Sequence, residues 1–294
     1  MKNIPFIYFL TPIILLTLLL LPSSCKENID INTDDAPVRI VIYGAISSDT
    51  TAHKVLITRS AGFFSTSKPQ AVSHADVHIT HASDTIRLNE DAEHPGTYLT
   101  APDVYGIAGE TYTLHVTTDF DNSGKKETYE ASSFLPHPSR LDSMAVEPSP
   151  LAKQFLQVSI WGETPSEGVN YLSLQLYHNG VLFNDSLSGF STANDEYLAG
   201  HIFNGVPAFM LNQERERSKL NPGDTLLLQV SSITHDYATF MENAQWESHG
   251  SVPMFGGPPA NVPSNIRCTT HPEMQAISGF FTAFSIRRLE MIYY

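Results

Sequence analysis

Between residues 38 and 289 the apolar side chains come in short runs rich in β-branched and aromatic residues, each closed by a cluster of Gly, Pro, Asp or Ser. Runs of that length and punctuation fold as strands joined by turns, so the pattern predicts an all-β chain. Strands are expected over 38–46, 54–58, 75–80, 97–100, 112–117 and 128–134, then over 154–161, 171–177, 225–231 and 279–289. The clearest alternation sets Tyr112, Leu114 and Val116 on one face and Thr113, His115 and Thr117 on the other, as a half-buried strand requires. One segment has a different period. Over 235–247, Tyr237, Phe240, Met241 and Ala244 recur at helical spacing against Asp236, Glu242, Asn243 and Gln245, which predicts one short helix with a packing face.

The first 24 residues have another purpose. Lys2 precedes an apolar run over 4–21, and Pro22, Ser23 and Ser24 lead to Cys25, the layout of a signal peptide. The run carries Pro5 and Pro12 and lacks a basic stop, which argues against a membrane-spanning helix. Small residues before a cysteine suit cleavage after lipidation of the thiol. Cys25 is therefore expected to be the lipidated N-terminus, bearing diacylglycerol and palmitate, with plain secretion as the alternative. Residues 25–37 read as a flexible, acidic tether. Within them Lys26, Glu27 and Asp30 look like the charged signal that sends some lipoproteins to the exterior of the outer membrane. The remaining length predicts two domains. We expect an immunoglobulin-like β-sandwich over 38–138 and a second β-rich, sandwich-like domain over 139–294, divided near the prolines of 135–138 and 148–150.

A formal net charge of −14 repels nucleic acid and anionic lipid. With Cys25 lipidated, Cys268 has no partner in the chain, so stability must come from an apolar core rather than disulfides. There is no Gly-x-Ser-x-Gly elbow, phosphate-cradling glycine loop or His-Glu-x-x-His pair, and a non-catalytic protein is expected. Asp119, Asp121, Ser123 and Glu130, with Gly124 between, match the oxygen-donor spacing of a calcium loop; a plain hairpin turn at Asn122-Ser123-Gly124 explains the same residues. His74, Asp76 and His78 alternate on one strand face, read as a solvated face in preference to a metal site. Glu214-Arg215-Glu216-Arg217 reads as a solvated loop, and Trp161 and Trp246 as packing residues rather than sugar platforms. The Pro- and Gly-rich loop with Met254, Phe255, Pro258 and Pro259 suits an extended partner-binding segment.

Several short motifs occur in a recognisable order: Val41-Ile42-Tyr43-Gly44, Leu56-Ile57-Thr58-Arg59-Ser60, Gly96-Thr97-Tyr98 and Gly109-Glu110-Thr111-Tyr112-Thr113-Leu114. The tethering Cys25 precedes them, and the Pro-rich Phe134 to Pro138 with Leu141-Asp142-Ser143, then Pro258-Pro259-Ala260-Asn261-Val262-Pro263-Ser264-Asn265-Ile266, complete the pattern. Together they resemble the bacterial outer-membrane lipoprotein family catalogued as domain of unknown function 4249, over nearly the whole mature chain. One departure is residues 267–278, longer than the pattern's link to the last strand and carrying Cys268 and His271. The resemblance implies an outer-membrane lipoprotein often found beside TonB-dependent receptors, and it supplies no catalytic residues. The function expected is therefore a surface-exposed accessory or ligand-capture component of such a transporter. A glycan-binding module or adhesin is the alternative, marked by a row of exposed Trp and Tyr on a sheet face. A hydrolase is the third reading, and it would need a deep polar pocket with a nucleophile or metal.

Overall fold

The structure, a computed structural model, describes residues 38–60, 68–248, 262–273 and 277–294. In the first half, β1 (Ile40–Ser47), β2 (Lys54–Arg59), β3 (Gln70–Ala71), β4 (Asp76–His81), β5 (Asp84–Glu90), β6 (Thr97–Leu99), β7 (Thr111–Thr118) and β8 (Glu127–Phe134) form a curled, mainly antiparallel sheet. It runs in the order β1-β2-β6-β5-β4-β7-β8, with β3 beside β2. Period-2 patterning decides what faces inward. Tyr112, Leu114 and Val116 of β7 are buried, while Thr113, His115 and Thr117 are only partly covered. They share one core with Ile40, Ile42 and Ile46 of β1, Val55 and Ile57 of β2, Val77 and Ile79 of β4, and Tyr129 of β8. Each aliphatic side chain so buried contributes about 1.5–3 kcal/mol relative to exposure.

The second half adds β9 (Arg140–Pro148), β10 (Phe155–Glu163), β11 (Tyr171–His178), β12 (Val181–Leu182), β13 (Ser191–Asn194), β14 (Ile202–Asn212), β15 (Thr225–Ile233), α1 (His235–Ser248), β16 (Arg267–Cys268) and β17 (Ile277–Ile292). A three-stranded sheet, β14-β10-β9, covers one face of β11 and β15. Val158, Ile160, Phe203 and Leu211 meet Leu172, Leu174, Leu176, Leu226, Leu228 and Val230 there. Helix α1 covers the opposite face through Tyr237, Ala238 and Met241, which pack with Ile233 and Phe280. Its first turn is capped by Thr234, whose Oγ1 accepts the Tyr237 N–H at 3.2 Å. The Tyr237 and Tyr43 hydroxyls, 2.7 Å apart, tie the helix to β1.

The last strand joins the halves. β17 runs parallel to β1 from Ile40↔Ile277 to Ser47↔Phe284, then antiparallel to β15 from Ser232↔Ser285 to Thr225↔Ile292. The expected division at 138–139 thus falls between two cores inside one compact unit, Pro37–Tyr294, whose halves share a strand. The result is all-β and sandwich-like with one helix among the described residues. The long link before β17 has a use: Arg267 and Cys268 make β16, which pairs with Glu130 and Tyr129 and covers part of the β8 edge. Strands β3, β5, β9, β12, β13, β14 and β16 were not expected from the pattern. β14 contains Pro207 and β9 lies among prolines; both are sheet edges, where a missing N–H costs no ladder bond.

Candidate functional site

A cleft of about 690 Å³ opens where the two halves meet. One wall is the end of β8 and the chain after it. Leu135 is fully buried, its N–H donating to Glu110 O at 2.9 Å and its carbonyl accepting from Gly109 N–H at 2.9 Å. Pinning Leu135 inward turns Phe134 outward, 45% exposed, onto the cleft. Pro136 and His137 continue the wall, and Ser139 N–H then donates to Ser232 Oγ at 3.2 Å, docking the crossing segment on β15. The other wall is the loop between β10 and β11, with Pro165, Ser166, Glu167, Val169 and Asn170. The floor is Tyr171, Ser232, Ile233, Thr234 and His235, the Tyr171 and His235 rings lying 4.8 Å apart. The lining is mixed, with about as many polar as apolar side chains, and the volume lies in the range of small-ligand clefts.

One buried carboxylate shapes the second wall. Asp195, following β13 and 1% exposed, accepts hydrogen bonds from Thr164 Oγ1, from Asn170 N at 2.8 Å and Nδ2 at 2.7 Å, and from His201 Nδ1 at 2.8 Å. Asn170 Nδ2 also donates to Pro165 O at 2.8 Å, so the loop over 165–170 is closed on itself. Burial pushes the Asp195 pKa up, but the donors from Thr164, His201 and Asn170 outweigh it and hold the carboxyl at about 2.

The residues predicted from sequence lie elsewhere. Cys25, Met254, Phe255, Pro258 and Pro259 fall outside the described residues. Asp119, Asp121 and Ser123 do come together, in the β7–β8 hairpin: Asp119 Oδ1 accepts from Ser123 N at 2.9 Å, its Oδ2 from Gly124 N at 2.8 Å, and Asp121 Oδ1 from Ser123 N at 3.0 Å. Glu130 does not join them. It projects from β8 beside His115 Nδ1, 3.2 Å away, and Arg267 Nη2, 3.3 Å away, because a strand and not a helix follows the turn. Among the described residues no group of three or more His, Cys, Asp or Glu side chains is placed to hold a metal ion.

Glu130 instead belongs to a row across the outer sheet face. Arg87, His78, His115, Glu130 and Arg267 stand opposite one another on β5, β4, β7, β8 and β16. The His78 and His115 rings stack at 4.8 Å and 13°. Desolvation, then His115, with Arg87 adding a smaller push, lowers the His78 pKa below 6.5 against the opposing pull of Asp76. Burial likewise lowers that of His53, which is 5% exposed with Nε2 3.2 Å from Val104 O. The unfolded chain then binds more protons than the fold between these depressed values and 6.5. Stability is expected to fall as pH drops below 6.5 and to level off once both rings are protonated. Melts between pH 8 and pH 4 measure this, and ring titration by NMR assigns it. A His78 ring titrating at or above 6.5 would refute the assignment.

Sequence reasoning missed the cleft. Its sole local signals were Leu135-Pro136-His137-Pro138, read as a boundary, and an apolar Val169 in a polar loop; Asp195 gave none. The fold defines an all-β, sandwich-like protein with this cleft where its two halves meet. The chain belongs to the family described as Domain of unknown function (DUF4249), whose model matches residues 26–290. No curated protein matches the chain significantly.

Proposed function

We propose that the protein is a surface-exposed outer-membrane lipoprotein, anchored through Cys25, that acts without catalysis as an accessory or capture component of a TonB-dependent transporter. The cleft carries this reading. Phe134 and Val169, 45% and 46% exposed in its lining, offer apolar contacts, and the Asp195 network holds the loop over 165–170 ready before any partner arrives. The partner's class comes from the resemblance described above. A glycan module would present exposed Trp and Tyr in a row. Of the exposed large apolar side chains on described strands, Tyr43 alone is Tyr or Trp.

A mild-detergent pull-down of the lipidated protein from its native outer membrane, with a Cys25→Ala control and mass spectrometry, tests the proposal. A TonB-dependent receptor is expected in near-stoichiometric amount, and Phe134→Asp with Val169→Asp is expected to lose it without unfolding the chain. If the protein comes out of intact membrane alone, glycan or matrix binding becomes the leading account.

A further inference from the structure

The Glu214-Arg215-Glu216-Arg217 run sorts its charges in space. It follows β14 in a tight turn fixed by Ser218 Oγ donating to Asn212 O at 2.7 Å, Gln213 Nε2 donating to Ser218 O at 3.0 Å, and Glu214 N–H donating to Asn212 Oδ1 at 2.9 Å. Both arginines, and neither glutamate, line a pocket of about 240 Å³ with Phe155, Phe183 and Met210. Arg217 is held in place. Its Nη2 donates to Phe183 O at 2.7 Å and to Asp185 Oδ1 at 2.6 Å, and its guanidinium lies 5.8 Å over the Phe183 ring. Asp185 is drawn below the usual carboxylate range by this pairing. Among the described residues Arg215 has no carboxylate partner and its side chain makes no hydrogen bond, although the chain carries 31 acidic residues to 17 basic. One guanidinium is therefore compensated and the other is not. A pocket with apolar Phe155, Phe183 and Met210 and polar Asn212 and Ser218 is left with an unpaired guanidinium and a planar fork of unused donors.

We infer that this pocket binds a small organic monoanion, a carboxylate carried on an apolar body. The anion would pair with Arg215, assisted by the free N–H groups of Arg217, while the body lies against Phe155, Phe183 and Met210. The site is separate from the cleft and does not depend on it.

The test titrates the full chain in non-ionic detergent with benzoate, benzamide and inorganic phosphate while the Met210 methyl resonance is followed by NMR. Benzoate is expected to move that resonance saturably, and benzamide and phosphate alone far less. Arg215→Gln, which breaks no contact in the fold, is expected to weaken benzoate about tenfold. Glu214→Gln is expected to leave it unchanged. Benzamide binding as tightly as benzoate, or an unaltered affinity in Arg215→Gln, overturns the inference. Inorganic phosphate binding as tightly as benzoate overturns the role of the apolar walls, and no saturable shift from any probe overturns the site.

Discussion

Gly279→Ala is expected to destabilise the protein by about 4 kcal/mol or more, at the far end of what one substitution does. Two independent effects meet at this residue. Its φ of +101° lies where side-chain-bearing residues are strained, which costs about 1–2 kcal/mol. An added Cβ would also stand 1.9 Å from Ile42 O and 2.7 Å from Ile42 C, backbone atoms of the neighbouring strand that cannot rotate away. Gly279 pairs with Ile42 in the parallel ladder of β1 and β17, so relief requires separating the strands that unite the ends of the fold. Gly180→Ala separates the two effects, because Gly180 has a φ of +78° but open space where its Cβ would go. Urea unfolding of both variants is the measurement. Gly180→Ala is expected to lose about 1 kcal/mol, and a Gly279→Ala loss no larger than that would show that the strands can shift freely.

Asp195→Ala is expected to cost about 3 kcal/mol, since it strands donors from Thr164, Asn170 and His201 that converge on a carboxylate 1% exposed. It should also release the loop over 165–170, so cleft-dependent co-purification should weaken even where the protein remains folded. The acid limb gives a second reading of the same residue. The folded pKa of about 2 lies below the ordinary 3.8. The contribution of Asp195 is therefore fully present above 3.8 and lost as pH falls through about 2. In denaturation series across that range, the gap between wild type and Asp195→Ala should stay constant above pH 4 and narrow below it. A gap under about 0.5 kcal/mol at neutral pH, the size of an ordinary surface change, would mean that water satisfies these groups and the wall is not held by Asp195.

The two strongest local signals in the sequence correspond to the two clearest local structures. Tyr112, Leu114 and Val116 alternate in the sequence and are buried in β7. The helical spacing of Tyr237 and Met241 is met in α1, where Ala238 is buried with them and Phe240 and Ala244 are only partly covered. β14 shows where such reading stops. Gly205, with φ +72° beside the Trp161 ring, and Pro207 break its alternation, and register shifts in its pairing with β10 absorb them. A single chain shows the breakers and conceals the partner strand that accommodates them. The spacing of Asp119, Asp121, Ser123 and Glu130 left a calcium loop and a hairpin turn both open for the same reason: spacing fixes the order of donors along a chain, and the conformation following the turn decides whether the last one returns.

By itself the sequence determined the all-β class, most strand positions, the single helix and the inward set of side chains, because the 2.0 and 3.6 periods are properties of neighbouring residues. Tertiary structure alone decided that β17 serves both halves, that Asp195 gathers donors from two segments, that Phe134 and Val169 line one cleft, and that Arg215 and Arg217 share a pocket without their glutamates. Those are distances between residues far apart along the chain or on opposite sides of a turn. They are set by which apolar faces bury one another, and no local period carries that information.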